Sequence, residues 1–178
     1  MPGFAEIQRD TDRVARRPSR DPVLDLYLDT FASRVAALGG FALGLYAEYR
    51  VAHLLGAKPS ETGTDPVDLT WATPACNRPV RIQVKSAHRS DPRTPFSFPV
   101  ASATTSGRRA GDLWVFARHV GTDHRTGWTY LITKTARLRR FGDQKTASAT
   151  KLSELGDWVV DEALTATAAG VAATLRQW

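Results

Sequence analysis

Two short segments of alternating polar and apolar residues, joined by a turn, constrain the fold of this chain more than any other feature. Residues 66–72 carry Asp68, and residues 79–87 carry Gln83 and Lys85. The stretch from Pro74 to Pro79, which contains Asn77, is typical of a turn. Alternation with a period of two predicts β-strands, and we therefore expect the two segments to pair as a β-hairpin.

The alternation also predicts which side chains of this hairpin meet. Gln83 and Lys85 are two positions apart and project from one face of their strand, whereas Ile82 and Val84 project from the apolar face. Asp68 joins the polar face if it lies opposite Gln83 or Lys85 in an antiparallel register. A carboxylate, an amide and an ammonium would then converge, as metal-assisted cleavage of a phosphodiester requires.

These convergent groups suit a divalent cation, which prefers oxygen ligands. Asp68 offers a carboxylate, Gln83 an amide oxygen and Val84 its backbone carbonyl. Lys85 could position the attacking water and neutralise the charge that grows on the phosphate in the transition state. A solvated strand face without any chemistry is the alternative interpretation of the same pattern.

An acidic residue interrupts the apolar face of a helix predicted over residues 41–55. This face consists of Phe41, Leu45, Ala52 and Leu55, and Glu48 occupies the position that is missing from it. A carboxylate that faces the core is costly unless another group compensates it. The compensation is either a structural salt bridge or a functional contact, in which Glu48 binds a metal through water or holds Lys85 in place.

The composition limits the class of protein. The chain has 178 residues, 42% of them hydrophobic, which suits one domain with its own core. Its 24 basic and 18 acidic residues give a formal charge of +6, which favours nucleic acid as a partner. A single cysteine, Cys76, excludes a disulfide framework. The chain has no long apolar run and no apolar signal-peptide core, so we expect a cytoplasmic protein without a membrane partner. We also expect no organic cofactor.

The remaining sequence suggests a basic arm and one domain. Residues 1–20 contain a cluster of four arginines at 13–20, interrupted by Pro18, and are expected to form a flexible basic arm ahead of a single domain at 21–178. Apolar spacing predicts a further helix at 23–38 and a closing helix at 158–175. The nearly continuous apolar run at 112–117 predicts a strand that is buried on both faces.

Other segments add elements around this framework. A strand at 128–133 should pair with the preceding one as a hairpin, with His119 and His124 exposed beside its turn. A short basic helix should follow at 134–140. Residues 88–111 are rich in proline and argue against regular structure, except for a weak helix at 101–109. Four arginines in this region are candidates to contact nucleic-acid phosphates, namely Arg89, Arg93, Arg108 and Arg109.

The order of the candidate residues resembles that of the PD-(D/E)XK nuclease superfamily. Glu48 on a helix is followed by Asp68 on one strand and by Gln83-x-Lys85 on the next. The sequence AEYRVAHLLG at 47–56 is similar to the first helix of the Holliday-junction-resolvase-like branch. The sequence DLWVF at 112–116 is similar to the following core strand of that branch. The resemblance covers roughly residues 40–133.

This resemblance implies a restriction-endonuclease-like α/β fold, a central mixed β-sheet flanked by helices, and Mg²⁺- or Mn²⁺-dependent hydrolysis of DNA. It makes Asp68 the principal metal ligand, Lys85 the catalytic lysine and Glu48 the helix acid. Gln83 stands where the family usually has Asp or Glu. Since one site per chain cannot cut both strands at once, double-strand cleavage would require a homodimer. The alternative is a nucleic-acid-binding module that keeps the fold without the catalysis.

Overall fold

The computed structural model describes residues 40–60, 67–101, 111–122 and 126–175. Over these residues the chain has an α/β architecture, in which helices flank a mixed five-stranded sheet. In chain order the elements are α1 (Gly40–Leu55), β1 (Lys58–Pro59), β2 (Leu69–Trp71), β3 (Val80–Arg89), β4 (Ser97–Pro99), β5 (Leu113–Val120), β6 (Trp128–Lys134), a 3-10 helix (Thr135–Phe141), β7 (Thr146–Ser148), α2 (Ala149–Leu152) and α3 (Asp161–Ala173).

The central sheet has the strand order β1-β2-β3-β5-β6. Its neighbours are antiparallel except β3 and β5, which run parallel. Both predicted hairpins are confirmed, because β2 pairs with β3 and β5 pairs with β6. The turn between β5 and β6 requires Gly127, which has a φ of 74° and lies so close to the carbonyl of Val120 that a Cβ would clash with it.

One face of the sheet packs against α1 and α3 and forms the larger of two cores. Its most buried members include Tyr46, Ala47, Val51, Leu69, Ile82, Leu113, Val115, Tyr130, Leu164 and Ala168. On β2 and β3, the residues that face this core are the apolar members of the alternating pattern. Burial of these side chains is the main favourable contribution to the fold of the hairpin.

The opposite face carries a smaller core over β5 and β6. It consists mainly of Phe98, Trp114, Phe116, Leu131, Leu138 and Leu152, contributed in part by β4, the 3-10 helix and α2. Residues 113–117 are all buried and alternate between the two cores, which confirms the prediction of a strand buried on both faces. Within the described part of the chain, no residue of β1 or β2 belongs to this second core.

The structure differs from the sequence predictions in four places. The proline-rich region is more regular than expected, because β3 continues to Arg89 and β4 pairs with β7. The helix predicted at 158–175 begins only at Asp161, since Val159 is bridged to Tyr130 in extended conformation. The basic segment at 134–140 is a 3-10 helix. The prediction that His119 is exposed is wrong: β5 extends to Val120, so His119 is part of the strand and fully buried.

Several predictions fall outside the described residues. These are the basic arm at 1–20, the helix at 23–38, most of the helix at 101–109, His124, and the two arginines Arg108 and Arg109. None of the helices in the described ranges combines the length and the apolar content that crossing a membrane requires.

Candidate active site

The candidate site lies at the N-terminal end of β2, beside the middle of β3. The ladder between the two strands begins at Leu69, which lies opposite Ile82, and the next pair in this register is Asp68 and Gln83. The backbone N–H of Asp68 still donates to the carbonyl of Ile82, at 3.1 Å. The next hydrogen bond to β3 is made by the side chain of Asp68 and not by backbone, because its Oδ2 accepts the backbone N–H of Val84 at 2.7 Å. The end of β2 thus fixes the position of the carboxylate.

Gln83 and Lys85 both reach this carboxylate from the same face of β3. The side-chain amide of Gln83 donates through Nε2 to Oδ2 of Asp68. The Nζ atom of Lys85 lies 3.9 Å from the same oxygen and 5.8 Å from the centre of the Trp114 ring. Gln83 is buried and Lys85 is half-buried, so the ammonium lies at the boundary between the second core and solvent. The structure thus brings together the three side chains that the alternation placed on one face.

Glu48 completes this group from α1. It is half-buried, and one turn earlier Gly44 lies against Ser86, so that α1 crosses β3 beside the site. Burial, followed by the negative charge of Asp68, raises the pKa of Glu48 from 4.5 to about 7, although the positive charge of Lys85 acts in the opposite direction. The Glu48 carboxyl is therefore close enough to feel both other charges, and its ionised form is disfavoured.

The buried face of α1 agrees only in part with the one predicted from the sequence, because Ala52 and Leu55 are buried as expected but Leu45 is not. Its most buried side chains are Tyr46, Ala47, Val51, Ala52 and Leu55, whereas Leu45 is only half-buried. Glu48 borders this face instead of replacing a central member of it. This position allows the carboxyl to lose much of its hydration while remaining next to the polar groups of the hairpin.

The site carries the oxygen ligands that a hard divalent cation prefers, but the Gln83 amide would first have to turn. Asp68 and Glu48 supply carboxylates. Gln83, however, presents its amide nitrogen and not its oxygen to Asp68, contrary to the predicted ligand set. The reason is that a carboxylate attracts the N–H donor of the amide. A half-turn about the last torsion of the Gln83 side chain would exchange the two amide atoms.

The carbonyl of Val84 is oriented toward the same position. Along a strand, the N–H and C=O groups of one residue point to the same side, and residues two apart share that side. Since the carbonyl of Ile82 and the N–H of Val84 both bond to Asp68, the carbonyl of Val84 also points to the side where β2 has ended. Within the described ranges, no group of three or more His, Cys, Asp or Glu side chains could hold a metal ion. A cation here would depend on amide and carbonyl oxygens.

Arg89 and Arg93, the two described arginines among those predicted to contact nucleic acid, are not part of this group. Arg89 lies four residues beyond Lys85, which is about 13 Å along a strand. Its guanidinium donates to the carbonyls of His88 and Pro95 and lies 5.8 Å from the centre of the Phe96 ring. Arg93 is exposed, and its backbone N–H donates to Asp91 in a turn.

An arginine pair next to the site was missed from the sequence. Arg78 makes two hydrogen bonds of 2.9 Å to the carboxylate of Asp112. The backbone N–H of Arg81 donates to the same carboxylate at 2.9 Å, and its side-chain Nε lies 3.6 Å away. The alternation that places Gln83 and Lys85 on one face places Arg81 there too, and this signal could have identified it.

A pair of histidines lies on the opposite face of the same strands. The Nδ1 atoms of His88 and His119 are 2.7 Å apart, and their rings stack with centroids 4.9 Å apart. His88 is paired with His119 in the parallel register of β3 and β5, while Trp128 packs on the other side of His119. The pair faces the α1 side of the sheet, whereas Lys85 faces the other side.

Comparison with known proteins does not assign this site. A scan against protein-family models gives no match to the chain, and a search of the curated proteins gives no significant match.

Proposed function

We propose that this protein is a metal-dependent deoxyribonuclease that hydrolyses phosphodiester bonds, with a restriction-endonuclease-like fold and the site Glu48, Asp68, Gln83 and Lys85. One observation carries the proposal. The Asp68 carboxylate, at the end of β2, lies next to Gln83 and Lys85, while the pKa of Glu48 responds to the charges of both Asp68 and Lys85. A group of charges around one incompletely paired edge is costly for a purely structural element.

The residues fit a Mg²⁺ or Mn²⁺ ion by the chemistry of their donors. Asp68, the amide oxygen of Gln83 and the carbonyl of Val84 would hold it, with Glu48 as a further acid. All are hard oxygen donors, and the two acids supply the negative charge that the neutral amide does not. When bound, such an ion would polarise the phosphate and lower the pKa of a water molecule.

The other roles belong to the side chains of this chain. Lys85 is the one cation at the centre of the group, and it would orient the attacking water and stabilise the negative charge of the transition state. Glu48 has a pKa of about 7, so that it can accept or release a proton near neutral pH. Gln83 is buried, and it would have to exchange its hydrogen bond to Asp68 for a bond from its amide oxygen to the ion.

A second candidate function is supported by a different feature of the same site. Asp68 is already satisfied by Gln83 and by the N–H of Val84, with the ammonium of Lys85 nearby. A carboxylate with these partners does not require a cation. This observation favours a DNA-binding module that keeps the fold but cuts nothing. Such a module would bind DNA in a salt-sensitive way without binding Mg²⁺.

Cleavage assays separate these two functions. Supercoiled plasmid and a four-way junction would be incubated with Mg²⁺ or Mn²⁺ and the wild-type protein, Asp68→Asn or Lys85→Met. Nuclease activity predicts cleavage by the wild type and a loss of at least about 100-fold in each variant, since each removes a group that acts in the transition state. Cleavage that appears only in homodimeric fractions would support the expected dimer.

Matched controls remove the same groups elsewhere. Asp143→Asn and Lys151→Met alter exposed residues outside the site, and both should cut like the wild type. Equal cleavage by the wild type and by both site variants would contradict the proposal. Absence of cleavage and of Mn²⁺ binding in calorimetry, together with salt-sensitive DNA binding, would establish the binding module instead.

A further inference from the structure

We propose that Lys58, Thr70 and Arg81 form a phosphate-binding row that guides the DNA backbone into the site. The inference rests on the proposed function and adds the path of the substrate. It places the contact on the exposed positions of β1, β2 and the start of β3, at the opposite end of β3 from Arg89 and Arg93.

The strand register builds this row. Lys58 lies opposite Thr70 in the β1–β2 ladder, and Thr70 lies opposite Arg81 in the β2–β3 ladder. Directly opposed residues project from the same face of an antiparallel pair. The row therefore crosses three strands, and the backbones that carry its two cations lie about 10 Å apart at the spacing of neighbouring strands.

This part of the sheet is open to solvent. Lys58, Thr70 and Arg81 are all exposed, whereas Leu69 and Ile82 next to them point into the core under α1. The second core covers β5 and β6 on the face of the row but includes no described residue of β1 or β2. Thr70 is short, so that it leaves room between the two cations for a phosphate group.

Asp112 holds Arg81 in place without using its whole guanidinium. The carboxylate accepts the backbone N–H of Arg81 and lies 3.6 Å from its Nε. Burial acts to raise the pKa of Asp112, but the hydrogen bonds from Arg78 and Arg81 and their charges outweigh it and lower that pKa. The carboxylate of Asp112 therefore stays ionised. The Arg81 side chain is 55% exposed, and its two terminal nitrogens have no partner among the described residues, which leaves their N–H groups for phosphate oxygens.

The row leads directly to the reacting groups. Gln83 is two residues beyond Arg81 on the same strand face, which is about 6.6 Å, and Lys85 is about 13 Å away. A phosphate held by Arg81 would thus neighbour the one between Asp68 and Lys85. Contacts of this kind position the backbone without reading the base sequence.

DNA binding measured without divalent cation tests the row separately from catalysis. Anisotropy of a labelled duplex would be recorded over a series of salt concentrations in the presence of EDTA, for the wild type and for the double variant Lys58→Gln/Arg81→Gln. We expect affinity to fall by roughly tenfold or more at low salt, and the slope of log K against log salt to decrease by about two, one for each lost phosphate contact. Arg139→Gln, an exposed arginine of the 3-10 helix, is the matched control and should leave the affinity and the slope unchanged.

The outcomes distinguish the row from the proposed function. A double variant with the affinity and slope of the wild type would overturn the row, even if the protein cuts DNA. Failure of the wild type to bind DNA at low salt would overturn it as well. A reduced slope in a protein that cuts no DNA would support the row and contradict the nuclease.

Discussion

Two polar clusters contact the same helix, α1, and they are built in opposite ways. Arg50 is 8% exposed, donates from Nε to the hydroxyl of Tyr130 at 2.8 Å, and forms an ion pair with Asp161. Glu48 lies two positions earlier, and the charges of Asp68 and Lys85 act on its pKa. The first cluster ties α1 to β6 and to the start of α3, whereas the second joins α1 to the open end of the hairpin.

The pKa values show what separates the clusters. Burial acts to lower the pKa of Arg50, but the charges and hydrogen bonds of Tyr130 and Asp161 raise it, so the cation is favoured where it lies. Burial and a like charge both raise the pKa of Glu48, so its ionised form is disfavoured. A buried cation with matched partners secures the fold. An acid whose ionised form is disfavoured destabilises the fold, and a functional role explains its presence better.

The largest effect on stability is expected from Arg50→Met. The change leaves the carboxylate of Asp161 and the hydroxyl of Tyr130 without their cation, and breaking a buried pair in this way costs about 3–5 kcal/mol. Urea unfolding followed by circular dichroism would measure the loss. Arg140→Met is the control, because Arg140 pairs with Glu154 at the surface and such pairs contribute at most about 1 kcal/mol. Equal losses in the two variants would contradict the structural role of Arg50.

A smaller effect of opposite sign is expected from Glu48→Gln. Because the pKa of Glu48 is raised from 4.5 to about 7, its contribution to stability is fully present below pH 4.5 and is lost as the pH rises through 7. Glutamine cannot ionise, so the variant does not lose this stability as the pH rises. The variant should be more stable than the wild type by about 1–3 kcal/mol at pH 8 and equally stable at pH 4.

The control for this prediction is an exposed acid. Glu162→Gln, in the first turn of α3, should give no gain at pH 8 and should lose up to about 1 kcal/mol through the helix dipole. Unfolding curves at both pH values would be compared for the three proteins. A Glu48→Gln variant that loses stability at pH 8 would show that a partner stabilises the ionised carboxylate of Glu48, contrary to this prediction.

Local pattern explains which parts of the molecule could be predicted. The hairpin follows from alternation within 66–72 and 79–87, and the same alternation brings Gln83 and Lys85 to Asp68. The candidate residue Glu48 was found because it breaks an apolar pattern, although only part of the predicted face, Ala52 and Leu55, is buried. These features depend on neighbours in sequence, where spacing is informative.

The features that were missed depend on long-range contacts or on very short elements. Arg50 and Asp161 are 111 positions apart, and no spacing relates them. Strands β4 and β7 have three residues each, and the first was obscured by Pro99 within it and Pro95 just before it. His119 looked like a turn residue because no local signal showed that β5 continues past Ala117. The orientation of the Gln83 amide is likewise set by its partner and not by its own sequence.

The smallest effect on stability is expected at the residue proposed to matter most for activity. In Lys85→Met the carboxylate of Asp68 keeps its hydrogen bonds from Gln83 and from the N–H of Val84, and it loses only an ammonium 3.9 Å away. Lys85 also lowers the pKa of Glu48, so its removal lets that acid stay neutral to higher pH and offsets part of the lost attraction. The free energy of unfolding at pH 7 should therefore change by less than about 1 kcal/mol, as in the exposed control Lys151→Met. A loss as large as that of Arg50→Met would instead mean that Lys85 secures the fold, and the contrast between the two clusters would disappear.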